Sequence, residues 1–275
     1  MTRVTIPALP MTPALASRLG GSPLVLLLDI DGTLAPIAGR PADAALPDAT
    51  RLVIDDLART PGVEVVAVSG RSARDSRRLI HLDDTWIIGN HGIEVAPPME
   101  PPVPRAEVAP FAPRVAEASI RATKYARDIP GVIVENKQWT LSVHYRLANH
   151  DVVPGLTEEV QTIARDLGLR LTTGKEVLEL RPPIDVNKGT AAVELAGGLG
   201  ALDGDASLFC AGDDRTDEDM FREVRRAQPR SVTVRVGEDR SAPDTSAEFA
   251  VSNTDEMRVL LEEILVQRRA GARKS

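Results

Sequence analysis

The stretch Leu24-Val25-Leu26-Leu27-Leu28-Asp29-Ile30-Asp31-Gly32-Thr33-Leu34 decides the fold of this chain. Its apolar run ends abruptly at Asp29, is too short for a membrane span and suits a strand buried on both faces of a parallel sheet. Gly32 marks the turn after that strand. Ligands of open α/β sheets bind beyond the carboxyl ends of the strands, and residues two apart on an extended chain point the same way. Asp29 and Asp31 are therefore predicted to project together into a cleft.

Two carboxylates this close repel each other when both are ionised, so Asp29 and Asp31 need a shared proton or a bound cation. Magnesium, a hard cation that prefers oxygen ligands, is the natural candidate. A solvated turn remains an alternative, because Asp and Gly both favour turns. A calcium loop of the D-x-D-x-D-G type is another. Against it, Gly32 comes too early and a strand, not a helix, precedes the acids.

The composition narrows the class of protein. The 275 residues suit one large or two modest domains, and 43% apolar with only 3% aromatic residues predict an aliphatic core. A net charge of −7 argues against a general nucleic-acid binder. The single cysteine, Cys210, excludes a disulfide within the chain, leaves zinc without a pair of thiols and fits a reducing compartment.

Residues 1–22 are predicted to be a loose leader into the first strand. They contain arginines and no acid, as some targeting segments do, but Pro7, Pro10 and Pro13 interrupt any apolar core or amphipathic helix. We therefore expect a cytoplasmic protein with no membrane or nucleic-acid partner, and we expect it to be a monomer.

Two further buried strands are predicted to end in groups that suit an anion. Residues 63–68 precede Ser69-Gly70-Arg71 and a helix start, where backbone N–H groups favour a phosphate. A simple Ser/Gly turn that caps this helix is the alternative. Residues 85–88 form a third short strand before Gly89-Asn90-His91-Gly92, so His91 is expected to face the same cleft.

A proline-rich run separates a second module from this part of the chain. Seven of the 21 prolines lie between Pro97 and Pro113, a density that excludes helix and sheet interiors. Beyond it, helices over 114–128 and 151–167 and a small sheet are predicted. Apolar and polar side chains alternate along the predicted strand 139–146, so one face would pack on helices and the other could face a ligand.

The last part of the chain contributes a lysine and more acids. Lys188 opens a predicted helix, where the macrodipole disfavours a cation unless it contacts anions such as a phosphate and the two aspartates. An exposed surface lysine is the alternative. Residues 207–211 form another buried strand that ends at Gly212-Asp213-Asp214. We interpret Thr216 as the N-cap of the next helix and Asp217 as an acid of its first turn.

These strand ends together offer two pairs of carboxylates, a hydroxyl group and a lysine. Phosphoryl transfer needs such a set: a nucleophile, a cation, donors for the equatorial oxygens and a proton shuttle. The order of the residues along the chain does not by itself bring them together in space.

The motifs of one superfamily occur in order along the chain, as Asp29-Ile30-Asp31-Gly32-Thr33-Leu34, Ser69-Gly70-Arg71, Lys188-Gly189 and Gly212-Asp213-Asp214. On these motifs the chain resembles the haloacid dehalogenase (HAD)-type phosphatases. It is similar, among them, to the trehalose-6-phosphate phosphatases. The features that carry this narrower likeness are Gly89-Asn90-His91-Gly92, His144-Tyr145-Arg146, residues 174–182 and the run from Gly212 to Phe221. Ile30 departs from the pattern, since relatives commonly carry an aromatic residue there.

The resemblance implies an α/β fold with a Rossmann-like core, whose mainly parallel sheet is flanked by helices. It implies that residues 1–113 and 183–275 form this core. Residues 114–182 would form a smaller, inserted α+β cap domain that sets substrate specificity. The implied activity is magnesium-dependent hydrolysis of trehalose 6-phosphate through an aspartyl-phosphate, with this sugar phosphate as the small-molecule partner.

The resemblance also implies roles in catalysis. Asp29 would attack phosphorus, and Asp31 would protonate the leaving sugar oxygen and then deprotonate water. Ser69 and Lys188 would hold the phosphoryl oxygens. The residues implied to contact the substrate are Gly70, Arg71, Asn90, His91, Gly92, Glu135, Lys137, Arg146, Lys175 and Glu179.

A magnesium site is implied as well. The ion would be bound by Asp29, the backbone carbonyl of Asp31 and Asp213. Asp214 or Asp217 would hold its water molecules.

Other functions remain open at this point. The same chemistry could act on another sugar phosphate, such as a sucrose or mannosylglycerate phosphate, although Glu179 and Lys175 favour trehalose. A non-catalytic binding module is a second possibility. It would be expected to lose the nucleophile, the lysine or a metal-binding acid, and all of these are present. A fused glucosyltransferase is a third, but the chain is too short to hold that second domain.

Overall fold

The computed structural model describes residues 11–238 and 245–272, which form two compact units. The described residues up to Pro102 and from Val186 onward make up the first unit. Val103–Asp185 makes up the second, which interrupts the first in sequence. Residues 1–10, part of the predicted leader, lie outside the described residues.

The bounds of the regular elements follow. The strands are β1 (Leu24–Asp29), β2 (Val63–Val68), β3 (Trp86–Gly89), β4 (Glu94–Ala96), β5 (Val103–Pro104), β6 (Ile133–Asn136), β7 (Leu141–His144), β8 (Arg170–Gly174), β9 (Val177–Arg181), β10 (Ser207–Gly212), β11 (Val232–Val236) and β12 (Phe249–Val251). The α-helices are α1 (Pro13–Arg18), α2 (Asp48–Ala58), α3 (Ala73–Ile80), α4 (Ala112–Ala126), α5 (Val153–Leu167), α6 (Lys188–Gly198), α7 (Arg215–Ala227) and α8 (Thr254–Ala272). Short 3-10 helices cover Pro41–Asp43, Asn90–Gly92, Ala106–Phe111 and His150–Val152.

The first unit is built on a mostly parallel sheet. Its strands lie in the order β12-β11-β10-β1-β2-β3-β4, and only β4 runs antiparallel to its neighbour. This arrangement confirms the predicted Rossmann-like α/β core. Since β1 lies between β10 and β2, the stretch that opens the sequence argument is the centre of the sheet.

Strand β1 is buried on both faces, as its apolar run predicts. Leu24, Leu26 and Leu28 belong to a hydrophobic cluster that includes side chains of α2 and α8. Val25 and Leu27 belong to a second cluster, with side chains of α6 and α7. Each fully buried residue of this kind stabilises the fold by roughly 1.5–3 kcal/mol, so the strand is fixed where Asp29 ends it.

The second unit is an α+β arrangement. Its four-stranded antiparallel sheet has the order β6-β7-β9-β8. Leu141, Val143 and Leu178 pack with side chains of α4 and α5 in one hydrophobic cluster. The intervening Ser142 is paired in register with Glu179. The predicted division into an apolar and a polar face is therefore confirmed for this sheet.

The prediction of a loose leader is wrong over residues 13–18, which form helix α1. Pro13 opens the helix, where a residue without an N–H group costs nothing because that group would have no partner within the helix. The Thr12 hydroxyl accepts a hydrogen bond from the Leu15 N–H at 3.3 Å and caps the helix. Within the described residues, no helix combines the length and apolar character that a membrane span requires.

Candidate active site

The carboxyl edge of the first unit's sheet gathers residues from distant parts of the chain. Asp29 is the last residue of β1, Ser69 directly follows β2, and Asp213 directly follows β10. These three strands are parallel neighbours, so their ends meet at one edge. Lys188 is the first residue of α6, whose N-cap Asn187 accepts a hydrogen bond from the Thr190 N–H at 2.9 Å.

A buried lysine joins two aspartates at this edge. The Lys188 Nζ atom donates to Asp29 Oδ1 at 2.7 Å and to Asp217 Oδ1 at 2.9 Å. The three side chains are at most 5% exposed. The lysine therefore contacts anionic partners, which accounts for a cation in the first turn of a helix.

Burial and neighbouring charges shift the pKa values of this group. Burial raises the pKa of Asp29 to about 7; Lys188 opposes the shift, and Asp213 and Asp214 add to it. Burial and the charge of Asp29 raise the pKa of Asp217 well above its ordinary value. Burial alone would lower the pKa of Lys188, but the charges of Asp217 and Asp29 outweigh it and raise this pKa. Lys188 therefore stays charged. Its single positive charge does not balance the negative charges of the acids around it.

Three acids at this edge could hold a metal ion. One carboxylate oxygen of each of Asp29, Asp213 and Asp217 lies within 4.8 Å of the other two. The Asp29 Oδ2 atom is shielded from solvent and has no hydrogen-bond partner among the described residues. A buried carboxylate oxygen is costly without a partner, and hard oxygen donors suit a cation such as Mg²⁺. These residues therefore fit a divalent metal.

Gly32 allows Asp213 to approach this group. A Cβ atom at position 32 would lie 2.3 Å from Asp213 Oδ2, and the backbone φ angle of Gly32 is +90°. Both the space and the backbone conformation require glycine. The turn after β1 and the loop after β10 therefore fit together only with this residue.

The loop after β10 corrects one sequence interpretation. The N-cap of α7 is Asp214, not Thr216. Its Oδ1 atom accepts from the Thr216 N–H at 2.7 Å and from the Asp217 N–H at 3.1 Å. Burial alone would raise the pKa of Asp214, but the charge of Lys188 and side-chain hydrogen bonds with Thr216 and Asp217 outweigh it and lower the pKa to about 2.

The sequence interpretation of Asp217 as an acid of the first helical turn is incomplete, because the side chain also forms hydrogen bonds within the site. It is completely buried, and its Oδ2 atom accepts from the backbone N–H groups of Asp213 and Asp214 at 3.0 and 3.1 Å. Its other oxygen accepts from Lys188. The spacing of Asp214 and Asp217, an acid at the cap and another three residues later, is the sequence signal of a capping box that could have indicated this.

Asp31 is engaged by an arginine. Arg71 donates from Nε to Asp31 Oδ2 at 2.6 Å and from a terminal nitrogen to Oδ1 at 2.7 Å. The other terminal nitrogen donates to the Pro41 carbonyl at 3.0 Å. The structure thus brings two predicted site residues together in a bidentate pair, and the carboxylate of Asp31 is not in the three-acid group.

The loops after β2 and β3 are joined by backbone hydrogen bonds. The N–H of Asn90 donates to the Arg71 carbonyl at 2.7 Å, and the N–H of His91 donates to the Ser69 carbonyl at 3.0 Å. Asn90 and His91 have positive φ angles of 49° and 57°. A Cβ atom at Gly70 would lie 2.4 Å from His91 Nε2. The imidazole of His91 therefore packs directly on Gly70.

Gly92 makes a similar close approach. A Cβ atom there would lie 2.7 Å from the Asn187 carbonyl oxygen, next to the start of α6. The loop after β3 thereby packs against the helix that carries Lys188.

The second unit collects three of the predicted substrate residues on its polar sheet face. Lys137 Nζ lies 3.5 Å from Glu179 Oε1 and 3.9 Å from Glu135 Oε2. The Ser142 hydroxyl donates to Glu179 Oε1 at 3.1 Å. In register, Ser142 pairs with Glu135 on one side and with Glu179 on the other. Lys137 and Glu179 are only 8% and 6% exposed. Charged side chains are rarely buried to this extent unless they are paired.

The other two predicted substrate residues of this unit are not part of that group. Arg146 pairs with Glu176, with 2.9 Å between Nε and Oε2. A terminal nitrogen of Arg146 also reaches the Lys175 carbonyl at 3.5 Å. Lys175 itself is exposed.

These features together define a HAD-type phosphatase: a parallel sheet, a buried aspartate at the end of its central strand, and a lysine and further acids beside that aspartate. A family model described as trehalose-phosphatase matches residues 27–255. The chain belongs to the trehalose-phosphatase family, whose members are phosphoric monoester hydrolases that act on a sugar phosphate.

Individual relatives agree with this assignment. A probable trehalose-phosphate phosphatase 4 of Oryza sativa subsp. japonica is 32% identical over 95% of this chain and 71% of its own length. A trehalose-phosphate phosphatase of Mycobacterium avium is 36% identical over 80% of this chain, which spans 56% of that relative. The crystal structure of a trehalose-6-phosphate phosphatase related protein has a TM-score of 0.78 and 29% identity. The match covers 91% of this chain and all of that one.

Proposed function

We propose that this chain hydrolyses trehalose 6-phosphate to trehalose and inorganic phosphate in trehalose biosynthesis. The single observation that carries the proposal is the buried pair of Asp29 and Lys188, 2.7 Å apart, beside two further acids. A carboxylate beside a fixed cation at the end of the central strand is suited to attack a phosphoryl group. The names of the relatives support trehalose 6-phosphate as the substrate.

In the proposed reaction, Asp29 attacks phosphorus and the bond from phosphorus to the sugar oxygen breaks. Asp31 donates a proton to that leaving oxygen, and an aspartyl-phosphate is formed on Asp29. Asp31 then accepts a proton from water as the water attacks phosphorus, and the Asp29 carboxylate is restored. Ser69 and Lys188 hold the phosphoryl oxygens during both steps. The pair of hydrogen bonds from Arg71 holds the Asp31 carboxylate before substrate binds, and Asp31 would have to leave this pair and take up a proton before it acts as the acid.

A divalent cation belongs to this proposal, and we assign it as Mg²⁺. The ion would be held by Asp213 and by the Oδ2 atom of Asp29, which has no hydrogen-bond partner among the described residues, with Asp217 fixing the loop that carries Asp213. When bound, Mg²⁺ supplies positive charge that offsets the charge of the phosphoryl group. The backbone carbonyl of Asp31 and the carboxylate of Asp214 remain predicted contributors.

The sugar part of the substrate is proposed to bind to the charged group of the second unit. Buried carboxylates and ammonium groups form strong hydrogen bonds with sugar hydroxyls. Glu135, Lys137 and Glu179 support this role because they are clustered, and because Lys137 and Glu179 are buried. Arg146 and Lys175 remain predicted contacts. The assignment of residues 114–182 as a cap domain also stays a prediction.

The substrate can be tested with a phosphate-release assay on a panel of sugar phosphates. The panel contains trehalose 6-phosphate, sucrose 6-phosphate, mannosylglycerate phosphate and glucose 6-phosphate, with Mg²⁺ present. We expect kcat/KM for trehalose 6-phosphate to exceed the other values by about a hundredfold, because a sugar of another shape would leave buried polar groups such as Lys137 and Glu179 unpaired. A higher value for another compound would contradict the proposed substrate. The expectations of a monomer, of a cytoplasmic location and of no membrane or nucleic-acid partner stay predictions.

A further inference from the structure

A second concentration of charge lies on helix α3, on residues that the proposed reaction does not use. The charge begins at Arg74. Three, four and seven positions after it come Arg77, Arg78 and His81. Residues with these offsets share one face of a helix. The chain as a whole carries a net charge of −7, so this face differs in sign from the average surface.

This basic face lines a cavity of about 490 Å³. Cavities of roughly 300–1,000 Å³ hold small-molecule ligands. The residues that line it are Arg74, Arg77, Arg78, His81, Asp83, Pro101 and Pro102. Three arginines and a histidine thus surround a space in which a single aspartate provides negative charge.

Most of this positive charge is not neutralised by the protein. Arg74 and His81 are exposed, and neither side chain has a hydrogen-bond or ion-pair partner among the described residues. Arg78 forms an ion pair with Asp75, with 3.3 Å between Nη1 and Oδ1, and 72% of its side chain is exposed. Such a surface pair is weak and leaves the guanidinium available.

Arg77 is held in place by backbone groups rather than by an acid. Its terminal nitrogens donate to the carbonyls of Pro97, at 2.7 Å, and of Glu100. Its Nε atom is shielded from solvent and has no hydrogen-bond partner within the described part of the chain. Carbonyl groups do not cancel a positive charge, so Arg77 adds a fixed cation to the wall of the cavity.

Stabilisation of the helix explains only part of this arrangement. Arg77 and Arg78 lie in the last turn of α3, where a cation is favourable for the helix dipole. Arg74 lies in the first turn, where a cation is unfavourable, and no acid among the residues that the structure describes pairs with it. A ligand with negative charge would account for Arg74.

We propose that this cavity binds a small soluble molecule that carries at least two phosphate groups. Guanidinium groups recognise phosphate oxygens through paired hydrogen bonds. The arginine positions span about 6 Å along the helix, from Arg74 to Arg78, which is longer than one phosphate group. Pro101 and Pro102 supply an apolar wall for the carbon skeleton between the phosphates, and Asp83 can accept a hydrogen bond from a hydroxyl or amine. The proposal is independent of the function assigned to Asp29.

Calorimetric titration with inorganic tripolyphosphate, without divalent metal, tests this site. We compare the wild-type protein with the double variants Arg74→Gln/Arg78→Gln and Arg222→Gln/Arg226→Gln. The second pair is the matched control, because both arginines lie four residues apart on exposed α7 positions and pair with an acid three residues earlier. We expect the α3 variant to bind at least tenfold more weakly than wild type, and the α7 variant to bind within twofold of wild type.

Several results would overturn the proposal. One such result is that the wild-type protein shows no binding at millimolar tripolyphosphate. Another is that all three proteins bind with equal affinity. Either result would mean that this cavity does not bind the anion. An equal loss in both double variants would indicate general charge attraction. Co-sedimentation of wild type, but not of the α3 variant, with vesicles containing phosphatidylinositol bisphosphate would identify a lipid headgroup instead of a soluble ligand. Far-UV circular dichroism checks folding, and an unchanged rate on p-nitrophenyl phosphate in the α3 variant separates this site from the catalytic one.

Discussion

At the scale of single residues, Asp214 and Asp217 have separate tasks although they lie on one loop. Asp217 is completely buried, and both of its oxygens accept hydrogen bonds. It accepts a hydrogen bond from Lys188, which also donates to Asp29. Asp214 instead accepts hydrogen bonds at the start of α7 and holds the loop in the shape that presents Asp213.

The cap formed by Asp214 gives a prediction about stability. Asp214→Ala should lower the free energy of unfolding by about 1 kcal/mol at pH 7, the usual cost of losing an N-cap. The pKa of Asp214 is lowered in the folded protein, from 3.8 to about 2. A lowered pKa gives stability that is present above the unfolded value and lost as the pH falls through the folded value. Urea titrations should therefore show the difference between wild type and variant intact above pH 4 and shrinking towards pH 2. A difference that grows in acid would contradict this assignment.

Single residues also show what the sequence can predict. Asp29 and Lys188 were predicted because a buried strand and a helix start are readable locally. The ion pair of Arg71 with Asp31 was not, because the sequence around Arg71 indicates an anion site after β2 and does not indicate which acid would pair with the arginine. The inward orientation of Asp217 was missed for a different reason: an acid in the first turn of a helix is expected for helix stability alone.

At the scale of elements, the turn after β1 and the loop after β10 form a matched pair through Gly32 and Asp213. Gly32→Ala should displace Asp213 and strain the turn, because the new Cβ would lie 2.3 Å from Asp213 Oδ2 at a φ angle of +90°. We expect the Mg²⁺ concentration for half-maximal activity to rise at least about tenfold, as metal sites weaken when ligands lose their orientation.

Gly39→Ala is the control for this prediction, since a Cβ at Gly39 would meet nothing within 4 Å. Its activity at each Mg²⁺ concentration should equal that of wild type. An unchanged Mg²⁺ requirement in Gly32→Ala would show that Asp213 does not take part in binding the metal.

The polar face of the second unit's sheet gives another prediction. Glu179→Gln removes the carboxylate that lies 3.5 Å from Lys137 and accepts from Ser142, so the charged group that we propose to bind the sugar loses a negative charge. We expect kcat/KM for trehalose 6-phosphate to fall by at least about tenfold, and the value for p-nitrophenyl phosphate to change by less than twofold.

Glu158→Gln is the matched change at an exposed position on α5 and should leave both values unaltered. Equal losses on both substrates in Glu179→Gln would argue against a role for this face in gripping the sugar.

At the scale of the whole molecule, the order of the strands creates the site. Strand β10 pairs with β1 although Ser207 and Leu24, which are partners in register, lie far apart in sequence. The sequence predicts each strand from its apolar run and each polar group at its end. It does not predict which strands become neighbours, because that choice depends on packing against α2, α6, α7 and α8 together. The predicted fold class was therefore right, while the geometry of the site required the structure.

A metal ion that binds only the folded protein should stabilise the whole molecule. Adding Mg²⁺ at about a hundred times its dissociation constant should raise the free energy of unfolding by about 2.7 kcal/mol. Thermal unfolding followed by circular dichroism should show this increase in wild type and its absence in Asp213→Asn. Removal of divalent metal with EDTA should stop hydrolysis while the far-UV spectrum stays the same. An unaffected rate in EDTA would remove the metal from the reaction.

The role of Asp29 as the nucleophile is tested most directly by Asp29→Asn. Asparagine keeps an oxygen for Lys188 Nζ but cannot attack phosphorus as a carboxylate does. Phosphate release from trehalose 6-phosphate with Mg²⁺ is compared with that of wild type and of the exposed-site control Asp203→Asn. We predict a loss in kcat of about a thousandfold or more in Asp29→Asn, with an unchanged circular dichroism spectrum and full activity in the control. Activity of Asp29→Asn within tenfold of wild type would contradict the account.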